Sequence, residues 1–136
     1  MLLGAGTVLT VDQADRAMAA GASFIVAPGF DPEVCKHVID KGGIMMPGTA
    51  TSGEMQQAMN MGCEVVKFFP AEANGGVDKL KNIGAALKSC KWMCTGGVNA
   101  KNVNNYLATT RLLLSAAPGC ASPTRSRPAH GMRSPP

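Results

Sequence analysis

The sequence predicts an α/β protein built on a parallel sheet, and three observations carry that expectation. Short apolar runs recur at a regular interval, beginning near Leu2, Phe24, Ile44, Val65 and Trp92. Each is followed by a turn containing Gly or Pro and then by a helical pattern. The runs are apolar on both faces, as in a parallel sheet covered by helices.

Taken in order, the helical patterns cover Asp12–Ala20, Pro32–Asp40, Ser52–Met61, Val77–Leu87 and Ala100–Ala108. Asp12 and Ser52 are placed as N-caps, Pro32 in a first turn, and Asn99 just before the last helix. Gly21, Gly42 and Gly62 stand where helices should stop. Met55, Ala58 and Met59 form an apolar face at helical spacing, which reads as core. Residues 1–108 thus form five consecutive βα units. Either a five-stranded doubly wound sheet or five-eighths of a (β/α)8 barrel accommodates them, and periodicity does not separate the two.

After Ala108 the composition changes. Leu112-Leu113-Leu114 can form a sixth strand but is followed by no helical pattern. Residues 118–136 hold five of the nine prolines and no acid, too little apolar surface to offset the entropy of ordering. Residues 109–136 are therefore expected to be a disordered tail.

The chain carries a net charge of +4, but residues 1–108 are formally neutral and the excess lies in Arg111, Arg125, Arg127 and Arg133. A nucleic-acid-binding face would be built into the folded part, so none is expected. No apolar run is long enough to span a bilayer, and Met1–Gly6 lacks the basic head and apolar stretch of a signal peptide, so the cytoplasm is the default. The cysteines Cys35, Cys63, Cys90, Cys94 and Cys120 are odd in number, irregularly spaced and remote from His37 and His130. Buried reduced thiols are expected, with no zinc site and no disulfide framework.

Chemistry is expected at the carboxyl ends of the strands, where both architectures bind ligands. Val65-Val66-Lys67-Phe68-Phe69-Pro70 is the most informative run. Alternation puts Val65, Lys67 and Phe69 on one face, so Lys67 would sit in apolar surroundings. Burial lowers an amine's pKa, and a neutral amine can attack a carbonyl to form an imine. An edge-strand lysine, or one snorkelling to the rim, fits the same residues, and on physics alone the readings stand level. In Thr95-Gly96-Gly97-Val98-Asn99, two glycines ahead of a helix would let a phosphate approach the backbone.

At these residues the sequence resembles a known family. Gly4-Ala5-Gly6-Thr7-Val8-Leu9, Ala27-Pro28-Gly29, the run from Val66 to Gly76, and Thr95-Gly96-Gly97-Val98 resemble the 2-keto-3-deoxy-6-phosphogluconate (KDPG) aldolases, including the bifunctional 4-hydroxy-2-oxoglutarate (KHG) aldolases, over roughly residues 2–108. The resemblance implies a class I Schiff-base aldolase on a (β/α)8 TIM barrel. The barrel is expected to be incomplete, with five βα units resembling strands three to seven. It implies Lys67 as the imine-forming catalytic lysine, Thr7 and Thr95 as hydrogen-bond partners of the pyruvyl portion, Pro28 and Phe69 as its walls, and Gly96 and Gly97 as the phosphate-binding turn. The implied ligands are a phosphorylated keto acid and pyruvate. No metal or other cofactor is implied, and the implied assembly is a homotrimer.

Two departures from the family pattern shape the expectation of activity. The family's proton-shuttling glutamate and a carboxylate-binding arginine lie on and near its second strand, for which residues 1–136 offer no counterpart. Its eighth strand and Gly-Gly-Ser turn also find no match, and the abrupt change predicts a shift of reading frame near Ala108. Low stability and weak activity are expected. Glu72, close to Lys67, is expected to bond local N–H groups rather than act as the proton shuttle.

Overall fold

The computed structural model describes residues 2–109 and 112–116. Among these residues, seven strands, β1 (Gly4–Ala5), β2 (Phe24–Val26), β3 (Ile44–Met46), β4 (Gly48–Thr49), β5 (Val65–Phe68), β6 (Lys91–Thr95) and β7 (Leu112–Ala116), are interleaved with five helices. The helices are α1 (Val11–Ala19), α2 (Pro32–Asp40), α3 (Ser52–Asn60), α4 (Gly76–Ala86) and α5 (Val103–Leu107). Every strand pairing is parallel, in the orders β1-β2-β3 and β4-β5-β6-β7.

Only Pro47 separates β3 from β4. Proline has no N–H to give to a ladder, so the pairing breaks there. The Pro47 carbonyl still accepts from the Lys67 N–H at 2.8 Å, and the Met46 carbonyl from the Ala27 N–H at 3.2 Å. One bent strand therefore joins the two sheets, and the strand order is sequential from β1 to β7. A doubly wound sheet reverses its order at a switch point, so that alternative is excluded.

Past Ala108, Leu112-Leu113-Leu114 falls within the strand that the sequence allows there. Leu112–Ala116 is a strand, parallel to β6, in register from Trp92↔Leu112 to Thr95↔Ala116 with a bulge between Trp92 and Met93. The physical reason is the otherwise unpaired edge of β6, which a following apolar run can complete. The expectation of disorder for residues 117–136 lies outside the described residues.

The helices are set by local chemistry. Thr10 and Thr51, rather than Asp12 and Ser52, are the N-caps: both are extended, and their hydroxyls accept from the N–H groups of Gln13 and Glu54 at 3.1 and 3.3 Å. Glu54 in turn accepts the Ala50 N–H at 2.9 Å, a reciprocal arrangement that secures the turn. Asp31 caps α2, with Pro32 in its first turn. Gly21, Gly42 and Gly62 follow α1, α2 and α3 with φ of 103°, 80° and 104°, a region in which a side chain would be strained. The core between sheet and helices is built from Ile25, Val38, Met55, Phe68, Leu80, Trp92 and Tyr106, all within about 1% of complete burial. Cys35, Cys63, Cys90 and Cys94 are buried and form no disulfide among the described residues, and Cys120 lies outside them.

Candidate active site

Lys67 sits near the carboxyl end of β5. Val66 and Phe68 on the opposite face are fully buried, while Lys67 is half-buried. Its backbone is fixed on both sides. The N–H donates to Pro47, and the carbonyl accepts from the hydroxyl of Thr49 at 3.0 Å. Thr49 is itself 1% exposed, so this hydroxyl has little choice of partner. The Lys67 Nζ lies over the Phe69 ring, 4.7 Å from its centroid.

The two neighbours of the amine act in opposite directions. Burial penalises the ammonium and pulls the Lys67 pKa below its ordinary value. The Phe69 ring face favours the cation. The downward shift is the effect of burial, and the ring acts against it.

Register places Lys67 beside Met93, and alternation along β6 puts Thr95 on that same face, level with Phe69. The Thr95 hydroxyl is buried with no hydrogen-bond partner among the described residues. Gly96 follows directly: a Cβ built on it would stand 2.9 Å from the Pro70 Cα and 3.2 Å from the Phe69 ring. Lys67, Phe69, Thr95 and Gly96 therefore form one contiguous surface. Pro28 adjoins it through Gly48, the register partner of Lys67, where a Cβ would fall 2.0 Å from the Pro28 carbonyl oxygen. Thr7 lies beyond β1, exposed, with φ of 56°, and β2 and the β3–β4 strand stand between it and β5.

The Gly96–Gly97 turn is ordered through its carbonyls. The Thr95 carbonyl accepts from the Ala71 N–H at 2.8 Å and the Gly96 carbonyl from the Glu72 N–H at 3.1 Å. The Gly97 carbonyl accepts from the side-chain amides of Asn102 at 3.0 Å and Asn99 at 3.3 Å. In a trans peptide the N–H points opposite to the preceding C=O. These ties therefore aim the N–H groups of Gly96 and Gly97 away from Ala71 and Glu72, and that of Val98 away from the asparagine amides. Both glycines have positive φ, 93° and 79°, which allows successive N–H groups to converge on one side.

Three features were not anticipated from sequence. The helix expected from Ala100 begins only at Val103, because Asn99 and Asn102 close turns with their side chains first; Asn99 Oδ1 accepts from Lys101 N–H and Asn102 Oδ1 from Asn99 N–H, each at 2.8 Å. The turn thus lacks the helix N-terminus predicted to support it. Thr49, which no sequence pattern singles out, anchors the Lys67 carbonyl. The Glu72 carboxylate turns to a distant partner instead: Oε1 accepts from the hydroxyl of the fully buried Tyr106, 34 residues away.

Comparison with known proteins identifies the family. Residues 1–120 match the model of a family described as KDPG and KHG aldolase. The chain is 44% identical to 2-dehydro-3-deoxy-phosphogluconate aldolase of Treponema pallidum (strain Nichols), across 83% of this chain and 54% of that protein. It is 38% identical to the enzyme of the same name from Haemophilus influenzae, across 82% and 53%. Among solved structures, KDPG aldolase of Legionella pneumophila, with pyruvate captured as a covalent carbinolamine, superposes with a TM-score of 0.80 at 36% identity, covering 84% of this chain and 56% of that one. The aldolase of Zymomonas mobilis ZM4 with 3-phosphoglycerate gives 0.81 at 31%, covering 85% and 56%. The chain spans about half the length of the curated relatives it matches.

Proposed function

The chain belongs to the KDPG and KHG aldolase family, and on that premise we propose that Lys67 captures the keto carbonyl of a phosphorylated 2-keto acid as an imine. The observation that carries this reading is the half-buried Lys67 amine, lowered in pKa, at a strand end beside an unpartnered Thr95 hydroxyl. The Legionella relative, with pyruvate held as a carbinolamine, supports the same chemistry here.

The proposed sequence begins with attack of neutral Lys67 on C2, giving a carbinolamine. Loss of water gives an iminium. Its positive nitrogen accepts the electron pair of the C3–C4 bond while the C4 hydroxyl loses its proton, and glyceraldehyde 3-phosphate departs. Protonation of the enamine at C3 and hydrolysis release pyruvate and the free amine. Thr95 donates to the pyruvyl carboxylate or accepts from the imine N–H. Phe69 and Pro28 wall the pyruvyl portion, Thr7 completes its polar contacts, and the N–H groups of the Gly96–Gly97 turn receive the phosphate. KDPG is the proposed substrate, and cleavage of 4-hydroxy-2-oxoglutarate to pyruvate and glyoxylate is the proposed side activity. The six parallel strand positions correspond in this reading to consecutive strands of the family's barrel, and a cytoplasmic homotrimer is the proposed assembly.

Capture and turnover separate in this proposal. The resemblance assigns proton transfer to a glutamate without counterpart in residues 1–136, and a positioned acid–base group contributes about 10²–10⁴-fold in rate. The 136-residue polypeptide is therefore expected to form the pyruvate imine but to cleave KDPG slower than its full-length relatives by about that factor. A coupled assay of glyceraldehyde 3-phosphate release tests this. Cleavage at the relatives' rate would show that residues of this chain supply the proton transfer.

A further inference from the structure

Glu72 holds the Gly96–Gly97 turn from beneath through its own backbone and side-chain stem. Its N–H ties the Gly96 carbonyl, and a Cβ placed on Gly97 would come within 2.7 Å of the Glu72 Cβ and 2.8 Å of its Cγ. The position of Glu72 is in turn fixed from the far side. Its carboxylate accepts from the hydroxyl of Tyr106, a residue of α5 with 0% exposure. Gly76, with φ of 60°, opens the space for that bond: a Cβ there would stand 3.3 Å from Glu72 Oε1 and 3.4 Å from the Tyr106 oxygen. The same short segment carries Asn102, whose side chain ties the Gly97 carbonyl.

We propose that the Tyr106–Glu72 pair is a positioning strut for the phosphate-binding turn, setting the direction of the Gly97 N–H without touching the substrate. The inference rests on the assignment of that turn to phosphate. Its logic is geometric. The Gly97 N–H points opposite to the Gly96 carbonyl, so any rotation of that peptide must first break the bond to Glu72. Tyr106 cannot swing outward from the core to follow a displaced Glu72. A free carboxylate next to an anion site would also repel its ligand, and the tyrosine hydroxyl engages one of its oxygens. The strut thus acts on the phosphate end of the substrate, not on the amine.

The test uses the 136-residue chain with inorganic phosphate as probe, read by the amide shifts of Gly96 and Gly97 in ¹⁵N spectra. Pyruvate trapping by borohydride is read in parallel. Tyr106→Phe and Glu72→Ala are expected to weaken phosphate binding about fivefold or more while trapping stays within about twofold. Glu72→Gln, which keeps an acceptor for the hydroxyl and removes the charge, is expected to bind phosphate as well as the parent or better. Unchanged phosphate affinity in Tyr106→Phe and Glu72→Ala would overturn the strut. So would a parallel loss of phosphate binding and trapping, which marks general disruption, or a parent chain whose two amides do not respond to phosphate. A parent chain that binds phosphate but traps no pyruvate contradicts the imine assignment and leaves the strut to be judged by its variants.

Discussion

The Lys67 amine and the Phe69 ring lie 4.7 Å apart on one face of β5, two residues from each other along the strand. The ring favours the ammonium, and burial disfavours it and lowers the pKa. The neutral amine is the nucleophile, so the rate of reductive trapping with pyruvate should rise with pH to a midpoint below the ordinary lysine value of 10.5. Replacing Phe69 with Leu keeps the apolar wall but removes the ring. With a cation–π interaction of roughly 0.5–1 kcal/mol, the midpoint should fall by about half a pH unit. A midpoint that rises instead would show that the ring acts mainly by desolvation.

The same shift has a consequence for stability. Between the lowered folded pKa and 10.5 the unfolded chain binds more protons at Lys67 than the folded chain does. The contribution of Lys67 to stability therefore increases with pH across that window and is flat below it. Urea melts of the parent and Lys67→Met over that window are expected to converge as pH rises.

Thr95 offers a separation of binding from folding. Its hydroxyl is buried without a partner among the described residues, so Thr95→Val should be neutral or stabilising in the free chain. Pyruvate capture should weaken by about 1 kcal/mol, roughly fivefold in half-saturating concentration. Equal capture by the valine variant would show that the hydroxyl faces something other than the ligand.

Thr49 fixes the backbone beneath the amine. Thr49→Val is nearly isosteric and removes one hydrogen bond to the Lys67 carbonyl, an expected cost of about 1 kcal/mol in a urea melt. Trapping should slow only modestly, because the Pro47 carbonyl still holds the Lys67 N–H.

Gly48 is the tightest point between the Pro28 turn and the lysine strand. A Cβ there would stand 2.0 and 2.2 Å from the Pro28 carbonyl atoms, which are backbone and cannot yield as a flexible side chain would. Gly48→Ala is expected to destabilise the chain by roughly 1–3 kcal/mol and to reduce trapping as well. An alanine variant with parental stability would contradict the close approach.

Much of this was legible in the sequence because it follows from period and punctuation. Alternation alone put Lys67 opposite the buried Val66 and Phe68, and Gly21, Gly42 and Gly62 marked the helix ends by the backbone angles they permit. The residues around Lys67 then named the family. What stayed hidden depends on distance along the chain or on competition between side chains. The Tyr106–Glu72 bond joins residues 34 apart. The late start of α5 follows from Asn99 and Asn102 closing turns that a helix would otherwise have used. The apolar run at Leu112-Leu113-Leu114 allowed a strand, but its pairing with β6 is a long-range feature that no local pattern specifies.

The most direct measurement is borohydride reduction of the 136-residue chain in the presence of pyruvate, followed by peptide mapping in a mass spectrometer. One reduced pyruvate adduct on the peptide containing Lys67, absent from Lys67→Arg, is the predicted result. No adduct at saturating pyruvate, or an adduct on another lysine that persists in Lys67→Arg, would contradict the account.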